Sequence, residues 1–281
     1  MKKIVFKSEY FNAKDTLDCG QIFRYKAIND GFLVFSGEKA CFVKTQGEWT
    51  TIECEDEEYF KNFFDLDTDY QVINSFTKSS KYDIVKISAT KAKGVRILNQ
   101  LKEETLFSFI ISQNNRIPRI KEIIERTCTA LGKKVFFGEH EYYTFPTAKI
   151  LAEKDEQFFK DLGYGYRAKY MVSVAKLVSS GDFSLDKLQD LPTATLKNRL
   201  TSLMGVGPKV ADCIALFGYH RVDSFPVDTW IEKLYHEDFC GTLTDRNKIT
   251  EWLLQEFGEY SGYVQQYVFY YKRSLEKGEN G

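Results

Sequence analysis

Short runs of β-branched and aromatic residues alternate with turn signals over the first ~85 residues. The turns are marked by Asn29-Asp30-Gly31, Ser36-Gly37 and Gln46-Gly47, combinations that favour tight hairpins. The predicted strands are 23–28, 32–35, 40–43 and 49–52. This pattern predicts a twisted antiparallel sheet, and the acidic stretch 53–69 that follows predicts a short helix leaving it.

From about Lys91 onward the apolar positions recur every three to four residues, which is typical of amphipathic helices. The predicted helices are 117–131 with Gly132 as its C-terminal cap, 168–179, 194–204, 208–217, 246–257 and 263–274. The predicted fold class is therefore α+β. An N-terminal antiparallel twisted β-sheet domain, residues 1–88, precedes a larger all-helical domain, residues 89–281, with a helix-hairpin-helix at about 194–217. The final residues 277–281 are expected to fray.

Composition supports a globular protein, because 43% of the 281 residues are hydrophobic and 28% are charged. No apolar run approaches the roughly 20 residues of a membrane span. Lysines at positions 2, 3 and 7 interrupt the amino terminus too early for a secretory signal. We therefore expect a monomer that is neither secreted nor membrane-bound. It should stay in the compartment where it is made.

The six cysteines, at positions 19, 41, 54, 128, 213 and 240, lie singly along the chain. Zinc sites, iron–sulfur clusters and disulfide frameworks need paired or clustered cysteines. We therefore expect reduced thiols and no metal or other cofactor.

Net charge is −1, so the chain as a whole does not indicate nucleic-acid binding. The local distribution is more informative, because residues 116–134 carry six basic residues against Glu122 and Glu125. Such a segment can follow a phosphate backbone. It is more often a solvated helix face, so it does not establish binding alone.

The segment 203–217 has the pattern of two helices joined by a tight glycine turn. Gly205, Val206 and Gly207 form the turn, and Pro208 starts the second helix where its missing N–H costs nothing. The glycines let backbone N–H groups approach a phosphate, and the helix directs its positive end toward that anion. We predict that these three residues contact a DNA backbone, although an ordinary turn between helices has the same pattern.

Lys209 lies in the first turn of this second helix, where the helix dipole disfavours an ammonium ion. Burial and the helix terminus both favour the neutral amine that a nucleophilic lysine requires. Asp228 follows Pro226-Val227 in a position typical of a helix N-cap, and a capping role alone explains it. Together, an amine and a carboxylate supply the two groups that displace a base from a sugar.

At this point the chain resembles the helix-hairpin-helix DNA glycosylases, and within them the 8-oxoguanine DNA glycosylases of the eukaryotic type. The resemblance covers most of the chain. It rests on the segments 18–25, 107–115, 162–170, 203–214 and 226–228, which occur in the family's order.

The resemblance implies a bifunctional glycosylase and abasic-site lyase that acts on damaged double-stranded DNA without a cofactor. Lys209 would be the nucleophile and Asp228 the essential carboxylate. The Gly20 carbonyl would accept the N7 proton that distinguishes 8-oxoguanine from guanine. Cys213 and Phe269 would sandwich the flipped base.

Gln265 would then read the Watson–Crick edge of that base. The family's pattern also implies that four residues fill the vacated stack and read the opposite cytosine: Asn114, Arg119, Tyr166 and Arg167.

This sequence departs from the family pattern at a few positions. Arg116 replaces an asparagine, and Gln113 replaces a small residue. Trp230 replaces a histidine that contacts phosphate in the family, which leaves the strength of phosphate binding open. Pro118 lies beside Arg119, which leaves a strict preference for cytosine open.

Two other functions fit parts of the pattern. An endonuclease-III-type glycosylase for oxidised pyrimidines shares the lysine in the glycine turn, but it usually carries a four-cysteine cluster and lacks the β-rich domain. A non-catalytic helix-hairpin-helix module would bind DNA without needing Lys209 or Asp228. An aldolase-type lysine enzyme is disfavoured by the glycine turn.

Overall fold

The computed structural model of the chain describes residues 1–276, so the fraying expected for 277–281 concerns residues outside it. Five antiparallel strands form the N-terminal sheet in the order β1-β5-β4-β3-β2. Their bounds are β1 Lys2–Lys7, β2 Tyr25–Ile28, β3 Gly31–Ser36, β4 Lys39–Gln46 and β5 Trp49–Cys54. Asn29, Gly37 and Gly47 adopt the left-handed backbone conformation at the three hairpin turns, as their sequence signals predict.

Helices make up most of the remaining chain. Their bounds are α1 Ala13–Asp18, α2 Glu57–Phe63, α3 Tyr70–Lys78, α4 Asp83–Lys91, α5 Lys102–Ser112, α6 Ile117–Leu131, α7 Ala148–Ala152, α8 Glu156–Asp161, α9 Ala168–Ser180, α10 Thr193–Thr201, α11 Pro208–Gly218, α12 Thr229–Glu237, α13 Arg246–Phe257 and α14 Ser261–Glu276. The predicted α+β fold is confirmed. The helix expected within the acidic stretch is α2, which Asp56 caps through its side chain.

A second, two-stranded sheet lies within the helical part of the chain, formed by β6 Lys134–Phe137 and β7 His140–Tyr143. It covers the outer face of the N-terminal sheet, where Tyr142 stacks on Phe35 with ring centroids 4.6 Å apart. This contact explains why β3 is buried on both faces along most of its length. The pattern of hydrophobic and polar residues in the sequence did not predict the β6–β7 hairpin.

Gln21 is fully buried and connects the N-terminal part of the chain to residues 96–100 through hydrogen bonds. Its amide nitrogen donates to the Arg96 carbonyl at 2.7 Å, and its amide oxygen accepts from the Leu98 N–H at 2.8 Å. The Gln21 carbonyl in turn accepts from the Gln100 side chain. Because these bonds replace water on every polar atom of a buried side chain, they fix the segment that leads to Gly20 against the helices.

The helical part has two hydrophobic clusters. The larger cluster packs α5, α6, α9 and α11 together, and the smaller one packs α12 and α13 against α14. Within residues 1–276, every helix is too short or too polar to serve as a bilayer span.

Candidate active site

The predicted helix-hairpin-helix is formed by α10 and α11. Gly205 has a φ of +82°, and a Cβ at this position would lie 2.5 Å from Tyr170 Cδ2 and 2.9 Å from Tyr170 Cβ. Gly207 is the N-cap of α11 with ordinary backbone angles, no capping side chain and open space around its Cα. Val206 between them is buried. The turn therefore presents an uncapped helix amino terminus with no side chain in front of it.

We expect the two glycines to respond differently to substitution. Gly205→Ala should destabilise the fold by about 2–4 kcal/mol, because the methyl group meets both a strained backbone and the Tyr170 ring. Gly207→Ala should cost less than about 1 kcal/mol, because the added methyl meets open space. Urea unfolding of the two variants measures the difference. Equal destabilisation would contradict the close packing of Gly205 on Tyr170.

Lys209 and Asp228 line the same cleft, which has a volume of about 950 Å³ and lies among α5, α6, α11, α12 and α14. Lys209 is the second residue of α11 and is half-buried, with its Nζ 5.8 Å from the centre of the Phe109 ring. The structure thus brings together the predicted amine and the predicted carboxylate, which are 19 residues apart in the sequence.

The pKa of Lys209 is the point at which the structure corrects the sequence analysis. Burial lowers the pKa, as expected, but the neighbouring Cys213 and the carboxylates of Asp228 and Asp212 raise it, and the net pKa lies above the ordinary value. The expected neutral amine is therefore wrong. The raised pKa favours the ammonium form of Lys209, whereas an amine that acts as a nucleophile has to be neutral.

Asp228 is the N-cap of α12. Its Oδ1 accepts hydrogen bonds from the N–H groups of Trp230 and Ile231, both at 3.0 Å. Because one oxygen accepts both bonds, the capping interaction does not consume the other oxygen of the carboxylate. The cap also fixes the orientation of the side chain, and a fixed negative charge is what a developing positive charge on a sugar requires.

Gly20 and Phe269 both line this cleft and lie next to each other. A Cβ on Gly20, whose φ is +87°, would lie 3.3 Å from the Phe269 ring. Cys213 is buried one helical turn after Lys209, and burial raises the pKa of Cys213 to about 11 although the neighbouring Lys209 lowers it. Gln265 is buried, and its Oε1 has no hydrogen-bond partner within residues 1–276. An unpaired amide oxygen is costly, and a ligand that donates a hydrogen bond would satisfy it.

Asn114 and Tyr166 lie at the cleft mouth. Asn114 is exposed with a φ of +45°, and 48% of Tyr166 is exposed. Arg119 is also exposed, and its guanidinium is 3.4 Å from the Gly163 carbonyl. Arg167 is different, because it is buried and donates to the carbonyls of Gln113 and Asn114. In this structure Arg167 supports the Asn114 loop from behind instead of facing the cleft.

The sequence analysis missed several residues at this site. Lys272 and Arg273 line the cleft beside Phe269, and Arg246 lines it from α13. The spacing from Phe269 along one helix could have revealed the first two. Asp212, which affects the pKa of Lys209, gave no sequence signal beyond its position one turn after that residue.

Comparison with known proteins identifies the family. Residues 3–106 match the N-terminal domain of 8-oxoguanine DNA glycosylase, and residues 107–259 match the HhH-GPD superfamily of base excision DNA repair proteins. The solved complex of Clostridium acetobutylicum 8-oxoguanine glycosylase/lyase with double-stranded DNA containing cytosine opposite 8-oxoG has a TM-score of 0.91 and 35% identity, covering 98% of this chain and 99% of that one.

MBOgg1, solved in complex with a low-affinity DNA ligand, has a TM-score of 0.93 and 34% identity, covering 98% of this chain and 97% of that one. The N-glycosylase/DNA lyase of Saccharomyces cerevisiae is 34% identical over 176 residues, which are 56% of this chain and 47% of that protein. The chain thus matches about half the length of this curated relative. It belongs to the HhH-GPD superfamily of base excision DNA repair proteins and, within that superfamily, to the 8-oxoguanine DNA glycosylases.

Proposed function

We propose that this protein excises 8-oxoguanine from double-stranded DNA and then cleaves the strand at the resulting abasic site. The observation that carries this proposal is the shared cleft of Lys209 and Asp228 beside the glycine turn of a helix-hairpin-helix. An amine, a carboxylate and an anion-binding helix terminus are the groups that attack, stabilise and position a sugar held by its phosphates.

The reaction begins when the damaged nucleotide leaves the duplex and enters the cleft, at a cost of a few kcal/mol for unstacking. Lys209 loses its proton, and its nitrogen bonds to C1′ while the bond from C1′ to the base breaks. The electron pair goes to the departing base, which takes up a proton. The Asp228 carboxylate stabilises the positive charge that develops on the sugar in this step.

The sugar ring then opens, and a protonated Schiff base forms between Lys209 and C1′. Loss of a proton from C2′ expels the 3′ phosphate and nicks the strand. Water hydrolyses the Schiff base and regenerates the Lys209 amine. Each of these steps uses only protons, water and groups of the chain, so we propose that no cofactor takes part.

Recognition of the base is proposed for the end of the cleft near Gly20. The Gly20 carbonyl would accept the N7 proton of 8-oxoguanine, with Phe269 on one face of the base and Cys213 on the other. Gln265 would bond to the Watson–Crick edge, and its unpaired buried Oε1 supports this role. These groups belong to different elements, so correct placement of the base depends on the packing of α14 against the segment around Gly20.

On the other side of the cleft mouth we propose that Asn114 and Tyr166 fill the space vacated by the flipped nucleotide. Arg119 and Arg167 would read the opposite cytosine. For Arg167 this requires release from the Gln113 and Asn114 carbonyls, so we propose that the loop rearranges on DNA binding. The backbone of residues 205–207 would hold a phosphate.

We further propose a boundary between the β-rich domain, residues 1–88, and the glycosylase domain, residues 89–281. The protein would act as a monomer wherever the cell keeps its DNA, in the cytoplasm and nucleoid or in the nucleus.

The deciding experiment incubates the protein with a duplex that contains one 8-oxoguanine opposite cytosine, in the presence of borohydride. We expect a covalent protein–DNA band, because borohydride reduces the Schiff base irreversibly. An otherwise identical duplex with guanine is the control and should give no band. Release of the base without a covalent band would contradict the lysine mechanism. Binding without release or band would favour a DNA-binding module.

A further inference from the structure

Asp212 is a carboxylate buried in the middle of α11, one turn after Lys209. It is only 2% exposed, and its neighbours Val210, Ala211 and Ile214 are buried apolar residues. Taking a carboxylate out of water costs several kcal/mol unless a partner compensates it. The position of Asp212 therefore calls for a physical reason.

One partner of Asp212 is Lys197 on the preceding helix, α10. The Lys197 Nζ lies 2.5 Å from Oδ1 of Asp212, and both side chains are largely shielded from solvent, at 19% and 3% exposure. Burial raises the pKa of Asp212, while Lys197 and Lys209 lower it, and the result is about 6. At neutral pH Asp212 is therefore mostly ionised.

The ion pair of Lys197 and Asp212 contributes little to the stability of the hairpin. Folding raises the pKa of the Asp212 carboxyl, so the protein loses stability as the pH rises through this folded-state pKa. The ionised Asp212 therefore weakens the fold at neutral pH. Replacing a buried ion pair by neutral residues is often neutral or stabilising. A purely structural role does not account for the charge.

The second neighbour of Asp212 is Lys209, which lies three residues earlier on the same face of α11. Burial lowers the pKa of Lys209, whereas Cys213 and the Asp228 carboxylate on α12 raise it, and the negative charge of Asp212 adds a smaller effect in the same direction. We infer that Asp212 is a positioning residue that sets how readily Lys209 releases its proton, and that Lys197 keeps the Asp212 carboxylate ionised for this purpose. This inference rests on the proposed function, in which Lys209 attacks as a neutral amine.

The inference is tested by the pH dependence of Schiff-base formation. The substrate is a duplex with a preformed abasic site, because this substrate bypasses base excision and reports on the Lys209 amine directly. The rate of borohydride trapping with excess enzyme is measured from about pH 6 to about pH 10, and it should rise with pH as Lys209 loses its proton. In Asp212→Asn the rising limb should move to lower pH by about half a unit, because Asp212 affects the pKa of Lys209 less than Cys213 and Asp228 do; trapping then becomes roughly threefold faster on the acidic side of the limb.

Asp212→Asn leaves the Lys197 ammonium ion without its partner, so this variant could fold poorly. The double variant Lys197→Met, Asp212→Asn removes both charges and should shift the limb in the same direction. The matched control is Glu104→Gln, which breaks the similarly buried ion pair of Glu104 with Arg24 outside the cleft. The control should leave the position of the limb unchanged.

A downward shift in the Asp212 variants, with no shift in the control, supports the inference. A uniform loss of rate at every pH, or an unshifted limb, overturns it and makes Asp212 a structural residue. Both results leave the proposed function intact, because the wild-type protein still traps. Absence of trapping in the wild-type protein contradicts the proposed function itself, and with it the inference.

Discussion

Lys209→Gln is expected to abolish the covalent complex with DNA and to slow base release by on the order of 10³-fold or more. Glutamine retains the length and polarity of the side chain but has no nucleophilic amine. DNA binding should persist, because the glycine turn and the basic residues of the cleft are unchanged. The measurements are borohydride trapping and single-turnover base release on the lesion duplex, together with an equilibrium binding titration.

The matched control for this variant is Lys272→Gln, since Lys272 lines the same cleft and is paired with Asp238 at 2.7 Å. This variant should still form the covalent band. A band that survives in Lys209→Gln and disappears in Lys272→Gln would show that Lys272, and not Lys209, is the nucleophile. Loss of the band in both variants would indicate that the cleft needs its total positive charge more than a particular amine.

The sequence was sufficient to single out Lys209 and Asp228, which line one cleft in the structure, because each has a local signature. Lys209 follows a glycine turn and a proline at the start of a helix, and Asp228 precedes an amphipathic run as an N-cap. The helices of the hairpin could be predicted for the same reason, since α11 begins at Pro208 as its proline requires. The resemblance to 8-oxoguanine DNA glycosylases is confirmed by matches that span residues 3–259.

The protonation state of Lys209 could not be predicted from its own position in α11. It depends on three groups, Cys213, Asp228 and Asp212, whose combined effect exceeds that of burial. The orientation of Arg167 could not be predicted from the sequence either, because the carbonyls to which it donates lie more than 50 residues earlier in the chain. Properties of this kind depend on tertiary contacts and not on the local pattern.

The elements that the sequence analysis missed have a similar explanation. Strand β1 contains only three apolar residues between lysines, and it is recognisable as a strand only through its pairing with β5. Helices α3 and α4 are nine residues each and follow the acidic stretch without an apolar stripe of usual length. Strands β6 and β7 are four residues each, and only Phe137 and Tyr142 in them are buried, through packing against the N-terminal sheet.

Asp228 caps α12, and we propose that its charge also takes part in the reaction; substitution by asparagine separates the two roles. Asparagine caps a helix about as well as aspartate, so Asp228→Asn should retain the hydrogen bonds to Trp230 and Ile231 and lose less than about 0.5 kcal/mol of stability. It loses the negative charge that we propose stabilises the cationic sugar, so base release should slow by about 10²- to 10³-fold. Single-turnover base release and urea unfolding measure the two effects independently.

A second N-cap in the chain provides a matched control for this prediction. Asp245 caps α13 in the same way, with Oδ1 accepting from the N–H groups of Asn247 at 2.8 Å and Lys248 at 3.1 Å. Asp245→Asn should therefore change neither stability nor base release appreciably. Equal rates of base release in Asp228→Asn and Asp245→Asn would mean that Asp228 acts only as a helix cap. If Asp228→Asn is normally stable but releases the base slowly, while Asp245→Asn releases it at the wild-type rate, the charge of Asp228 takes part in the reaction. This follows because both variants keep their capping hydrogen bonds and differ only in the position at which a negative charge is lost.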